Sequence, residues 1–97
     1  MNIKYLKLIT GEEVVADVTT NMDTYTLKNP IKLVLMPPMG LSMIGFCNFI
    51  KSETVKIKHE HVMFMDELDD EIYNAYNQKF GSGIVLATNS PSIKLHT

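Results

Sequence analysis

The stretch Thr24-Tyr25-Thr26-Leu27-Lys28-Asn29-Pro30-Ile31-Lys32-Leu33-Val34-Leu35-Met36 decides the fold. Thr24 to Leu27 is β-prone, and Ile31 to Met36 alternates, with Ile31, Leu33 and Leu35 on one side and Lys32, Val34 and Met36 on the other. Period-two spacing of this kind reads as a strand. Pro30 offers no backbone N–H and biases Asn29 towards extended geometry. The segment is therefore expected to be one long strand with a kink or edge bulge at Pro30, and a sheet built around it must bend.

The flanking segments supply partners for that strand. Asn2 to Ile9 alternates Ile3, Tyr5 and Ile9 against Lys4, Leu6 and Leu8. Glu13 to Thr19 alternates Val14, Ala16 and Val18 against Glu13, Val15 and Asp17. Thr10-Gly11-Glu12 between them reads as the tight turn of an antiparallel hairpin, since Gly11 takes a positive φ without a Cβ clash. Thr20-Asn21-Met22-Asp23 is a second turn, rich in side chains that bond their own backbone. After Pro37-Pro38-Met39-Gly40, residues Leu41 to Ile50 are apolar on both faces and read as a strand covered on both sides, with a bend at Gly45. Lys51-Ser52-Glu53 turns the chain. Thr54 to Met65 reads as a last long strand, and its parity switches near Glu60, which predicts a bulge.

Asp66 to Phe80 carries the helical signals. Asp66, Asp69, Asp70 and Glu71 gather at its start, Lys79 lies in its last turn, Gly81 follows, and Leu68, Ile72, Ala75, Tyr76 and Phe80 form an apolar stripe. Gly81-Ser82-Gly83 reads as a hinge, Ile84 to Ala87 as a short strand, and residues 82–97 as a tail. The expected architecture is mostly β: a strongly bent, five-stranded antiparallel sheet over about 3–66, arranged as a partly open barrel. One C-terminal helix over about 68–80 covers an open end or face, and residues 1–81 form the domain.

The whole chain has 97 residues, and a domain of this size has a thin core. Nine lysines, no arginine and eleven carboxylates leave a formal charge of −2. Residues 1–58 hold seven lysines against five carboxylates, whereas residues 59–81 hold one against six, so an anionic partner should meet the first part. One cysteine excludes a disulfide scaffold and a Cys-rich zinc site. No apolar run is long enough to span a bilayer as a helix, no secretory leader is read at residues 1–9, and a cytoplasmic location is expected.

Few residues suggest chemistry. His59 and His61, two apart on a strand, have the spacing of two metal ligands but no apparent third. Cys47 lies in an apolar strand without a partner base, and reads as a small buried hydrophobe. The acids at 66–71 are accounted for by the helix start. No phosphate loop, zincin helix or nucleophile elbow occurs, so no catalytic residue, metal or cofactor is expected. Met36, Met39 and Met43 surround the Pro-Pro loop as core filler or as an adaptable surface. Tyr25, beside a polar turn, reads either as an ordinary half-buried strand tyrosine or as a ring that stacks a base, with Lys28 and Lys32 to meet phosphate.

The stretch Leu8-Ile9-Thr10-Gly11-Glu12-Glu13-Val14-Val15-Ala16-Asp17-Val18 resembles the opening of the first Sm motif, a glycine turn leading into a bent strand. Thr24-Tyr25-Thr26-Leu27-Lys28-Asn29-Pro30 resembles the segment carrying that family's base-stacking residue and the Asn near it, and Val55 to Asp66 resembles its last long strand. The chain thus resembles a Sm-like (LSm) protein of the short, phage-encoded type over about residues 3–66. It departs from the family in placing its helix last. It also has Phe49-Ile50-Lys51-Ser52-Glu53-Thr54 where an Arg-Gly or Lys-Gly pair is usual, with Lys51 the partial substitute.

The resemblance implies a homo-oligomeric ring in which the fourth strand of one subunit pairs with the fifth of the next. Met43, Ile44, Phe46, Phe49, Val55 and Ile57 would form that interface, and Tyr25, Lys28, Lys32 and Lys51 would bind single-stranded RNA. The expected function is a ring-forming, RNA-associated binding protein, in the host bacterial cytoplasm if phage-encoded. The alternative is a structural or protein-interaction ring that has lost RNA binding and docks a host protein on its acidic helix.

Overall fold

A computed structural model describes residues 2–38 and 40–80. Six antiparallel strands run β1 (Ile3–Leu8), β2 (Glu13–Thr20), β3 (Thr24–Met36), β4 (Gly40–Gly45), β5 (Thr54–Lys58) and β6 (Val62–Asp66), followed by α1 (Asp70–Phe80). The hydrogen-bonded order is β4-β3-β2-β1-β6, and β5 also pairs with β3. The expected mostly-β architecture, a bent antiparallel sheet with one helix after it, is the observed one. The expected last strand is interrupted where its parity switches: a 3₁₀ turn, His59–His61, separates β5 from β6. That turn carries the chain from β3 to the far edge of β1. The sheet is thereby rolled up without a closed ladder.

The long strand serves two partners along one edge. Its first part, Thr24 to Lys28, pairs with β5, and its second, Ile31 to Met36, pairs with β4. The irregularity between them falls on Asn29, one residue before the expected kink at Pro30. Asn29 is not extended but left-handed, with φ 51°. Asn is the non-glycine residue that best tolerates this region. Its own N–H is satisfied by the Glu53 carbonyl at 3.0 Å. The irregularity inverts strand parity: Leu27 points into one apolar cluster and Ile31, four residues on, into the other.

The sheet is consequently buried on both faces. Leu6, Leu8, Val14, Ala16, Val18 and Leu27 fill the inside of the roll, with Tyr25, Phe46, Ile57, Val62 and Met65 around them. Ile3, Val15 and Ile31 face outward and are covered by Tyr76, with Leu33, Met43, Leu68, Ile72 and Phe80 alongside. The run Val14-Val15-Ala16 is fully buried, because neighbouring side chains enter opposite cores. The strand with two covered faces is therefore β2, not the 41–50 segment. The latter forms a strand only to Gly45. There a Cβ would lie 1.9 Å from the Asn48 side-chain oxygen, so the glycine makes room for the turn that follows.

The helix begins four residues later than its acidic signal. Asp66 stays in β6, and Asp69 caps α1 by accepting the Ile72 N–H at 3.1 Å. Of the expected stripe, Leu68, Ile72, Tyr76 and Phe80 pack against the sheet. Tyr76 is 1% exposed, and its hydroxyl donates to the Asn29 carbonyl at 2.9 Å and the Lys28 carbonyl at 3.2 Å. The helix therefore supplies a donor to the carbonyls at the β3 irregularity. The hinge at 81–83, the strand at 84–87 and the tail fall outside the described residues.

Tyr76→Phe should cost about 1 kcal/mol in urea unfolding by orphaning those carbonyls, and Tyr76→Ala about 3–5 kcal/mol by also opening the outer core. Alkaline pH tests the same seat. Burial, with the Asp17 charge second, pushes the Tyr76 phenol up to about 12. Burial, reinforced by a hydrogen bond to Glu13, pushes Tyr5 to about 12 as well. Both values lie above the ordinary 10.0. Their contribution to stability should be complete below pH 10 and disappear as pH rises to about 12, seen as a falling unfolding midpoint.

Candidate nucleic-acid interface

Three turns converge on one end of the roll, held by backbone bonds. The 3₁₀ turn is fastened to the β2–β3 turn by the His59 N–H on the Asp23 carbonyl at 3.2 Å. It is fastened to the β1–β2 turn by the Ile9 N–H on the His61 carbonyl at 3.0 Å. Gly11, at φ +96°, permits the tight β1–β2 turn. Asn21 rigidifies its own turn: its side-chain oxygen accepts the Thr26 hydroxyl at 2.8 Å, and its N–H bonds the Thr24 carbonyl at 2.8 Å.

Tyr25 lies at this end. It is half-buried, borders the inner core, and stacks on His59 with ring centroids 4.3 Å apart. The His59 Nε2 lies 3.0 Å from the Thr24 carbonyl, so that nitrogen carries the proton and donates. The aromatic pair is thus a fixed platform and not a mobile tip. From the sequence His59 stood out only as one of two histidines with metal-ligand spacing and no third ligand. Its role beside Tyr25 depends on the β3–β5 register, which places Thr24 opposite Lys58 and Tyr25 opposite Ile57. Among the described residues no group of three or more His, Cys, Asp or Glu side chains is placed to hold a metal ion. A cavity of about 300 Å³ lies beside His61, walled by Leu8, Ile9 and Ile57 with Thr10 and Glu12 at its rim.

The lysines named from sequence are not all together. Lys28 is exposed on the outer side of β3, next to β5. Lys32, four residues on, follows the parity inversion and is ion-paired to Glu12 at 3.5 Å. A regular strand would have given the two lysines one face; the Asn29 irregularity separates them. Lys51 is exposed in the segment joining β4 to β5. Lys56 and Lys58 were missed. Their i, i+2 spacing on a strand was the available signal, since it puts both on the outer side beside Lys28.

The residues named for an oligomer interface divide similarly. Phe46 and Ile57 border the inner core and Met43 the outer one. Val55 is half-buried and lines a second cavity of about 300 Å³, with Cys47, Lys79 and Phe80. Ile44 is exposed on β4, and Phe49 is 99% exposed. Met63 and Phe64, exposed on β6, were not named from sequence. Phe64 also stacks on Tyr5 at 5.8 Å.

No family model and no curated protein matches the chain. No helix among the described residues is long and apolar enough to cross a membrane.

His59→Ala should remove the platform under Tyr25. The NMR signals of the Tyr25 ring, followed with all four tyrosines in place, should lose their ring-current shifts, and the β5 amides should exchange faster. Unchanged Tyr25 ring shifts would mean that the ring contact carries no constraint.

Proposed function

We propose that the protein is a Sm-like, ring-forming binding protein associated with single-stranded RNA. One observation carries the reading: β4 and β6, at the two ends of the hydrogen-bonded order, each have an unpaired edge and present exposed apolar side chains. Ile44 is 43% exposed on β4, and Met63 and Phe64 are 63% and 51% exposed on β6. An uncovered strand edge invites another strand. Because the two edges differ, β6 of one copy adding to β4 of the next gives a heterologous contact, and such contacts close into rings when the rotation fits. β6 is the second half of the expected fifth strand, so this is the fourth-to-fifth pairing that the resemblance implies.

In this reading the end bearing Tyr25 and His59 takes RNA bases, and repetition around the ring adds avidity. The work is binding without catalysis. As a phage-encoded ring it would act in the host bacterial cytoplasm. Hydrogen exchange tests the assembly: β4 and β6 amides should be protected at high protein concentration and lose protection on dilution. Fluorescence anisotropy with short U-rich and A-rich RNA tests the binding. Tyr25→Ala should weaken it by about 1–3 kcal/mol for each stacked base, roughly 5- to 150-fold. Concentration-dependent edge protection with no RNA affinity would favour the structural or protein-interaction ring instead.

A further inference from the structure

The eight described lysines separate into two sets. Lys4, Lys7 and Lys32 form ion pairs with Glu67, Glu13 and Glu12. Lys28, Lys51, Lys56, Lys58 and Lys79 form none among the described residues, and the remaining residues contain no Asp or Glu. Lys28, Lys56 and Lys58 share the outer side of the β3–β5 pair, Lys79 lines the cavity at its β5 start, and Lys51 lies in the preceding segment. The β3–β5 register sets Lys28 opposite Thr54, Thr26 opposite Lys56, and Thr24 opposite Lys58, a checkerboard of ammonium and hydroxyl groups on the outer side. Thr54, Lys56 and Lys58 are exposed, while Val55 and Ile57 between them are half-buried. Lys79 and the start of β5 meet at one cavity, and Lys51 lies in the segment leading into it.

We propose that this flank is a phosphate-reading track for a single strand of nucleic acid, on the outer side of the β3–β5 pair and leading up to the Tyr25 end. The proposal rests on the RNA-binding reading above and extends it to a second surface. The outer side of the β3–β5 pair has no apolar centre, which a protein interface would need, and consists of point charges and hydroxyls in a line. Lys56 and Lys58 lie about 7 Å apart along the strand. Lysine without arginine grips phosphate as a point charge and not bidentately, and the outer side of the β3–β5 pair carries no aromatic ring, the Phe80 ring lying beyond it under Lys79. The track is therefore indifferent to base sequence and sensitive to salt. Two carboxylates border the track: Glu53, which precedes Thr54 and lines the cavity with Lys79, and Asp17, opposite Lys28, whose side chain accepts the Asn2 N–H at 2.9 Å.

The test is the salt dependence of binding to a short unstructured RNA, by fluorescence anisotropy between low and moderate salt. Each phosphate contact on a single strand contributes about −0.7 to the slope of log K against log salt. Wild type should show about −3.5 if all five lysines take part. Lys56→Gln with Lys58→Gln should make the slope shallower by about 1.4. Lys4→Gln with Lys7→Gln, the same charge change among the paired lysines, should leave it in place. Equal effects of the two double variants would overturn the track in favour of net charge alone. An unchanged slope in the first double variant, with Tyr25→Ala still weakening binding, would overturn the track and leave the RNA-binding reading standing. Aggregation of that variant with its RNA affinity intact would also overturn it, showing that the lysines serve only to blunt the β5 edge. Wild type that binds no RNA at low salt would overturn both.

Discussion

The hydroxyl of Tyr76, donating to the carbonyls of Lys28 and Asn29, is the contact on which the rest of the arrangement depends. A strand that breaks its ladder in a small protein exposes carbonyls that must find another donor. Here the helix supplies one and at the same time covers the outer core. With those carbonyls satisfied, β3 can turn and give one edge to both β5 and β4. The inversion of parity at Asn29 follows, and with it the use of both sheet faces as core. This is how a domain with a thin core buries enough apolar surface: two small cores share one sheet, and β2 contributes to both.

The same irregularity arranges the charges. It keeps Lys28 beside Lys56 and Lys58 while Lys32 is withdrawn to Glu12. It also makes room for the segment between β4 and β5, which brings Glu53 to the Asn29 N–H at a cavity that Lys79 of α1 also lines. The mildly basic first part and acidic second part of the sequence become, in three dimensions, an unpaired lysine flank along β5 and an acidic approach to α1. The missing arginine sets the character of that flank, whose cations are compact, strongly hydrated and without planar recognition.

Much of the fold was legible in the sequence because period-two alternation and glycine or Asn/Asp turns are local signals. The β1–β2 hairpin, the long β3, an irregularity near Glu60 (expected as a bulge, found as a 3₁₀ turn that splits the strand) and the helix stripe all came from them. What was not legible depended on tertiary contacts. Nothing local distinguishes an extended Asn29 from a left-handed one; the Tyr76 hydroxyl and the Glu53 carbonyl fix its surroundings. The apolar run 41–50 resembled a strand throughout, yet Phe46 turns into the inner core and ends it. The acids from Asp66 onward marked the helix, but only Asp69 could cap it once Asp66 was held in β6. For the site, Tyr25 and Lys28 were visible as residue types beside a turn. The stacking of His59 on Tyr25, and the grouping of Lys56 and Lys58 with Lys28, required the β3–β5 register.

The central functional claim is that the uncovered edges of β4 and β6 join successive copies. Absolute molar mass in solution, by light scattering on purified protein over a wide concentration range, addresses it most directly. A closed ring predicts one discrete species at an integer multiple of the 11.0 kDa chain, stable against moderate dilution. A mass of 11.0 kDa at every concentration would contradict it.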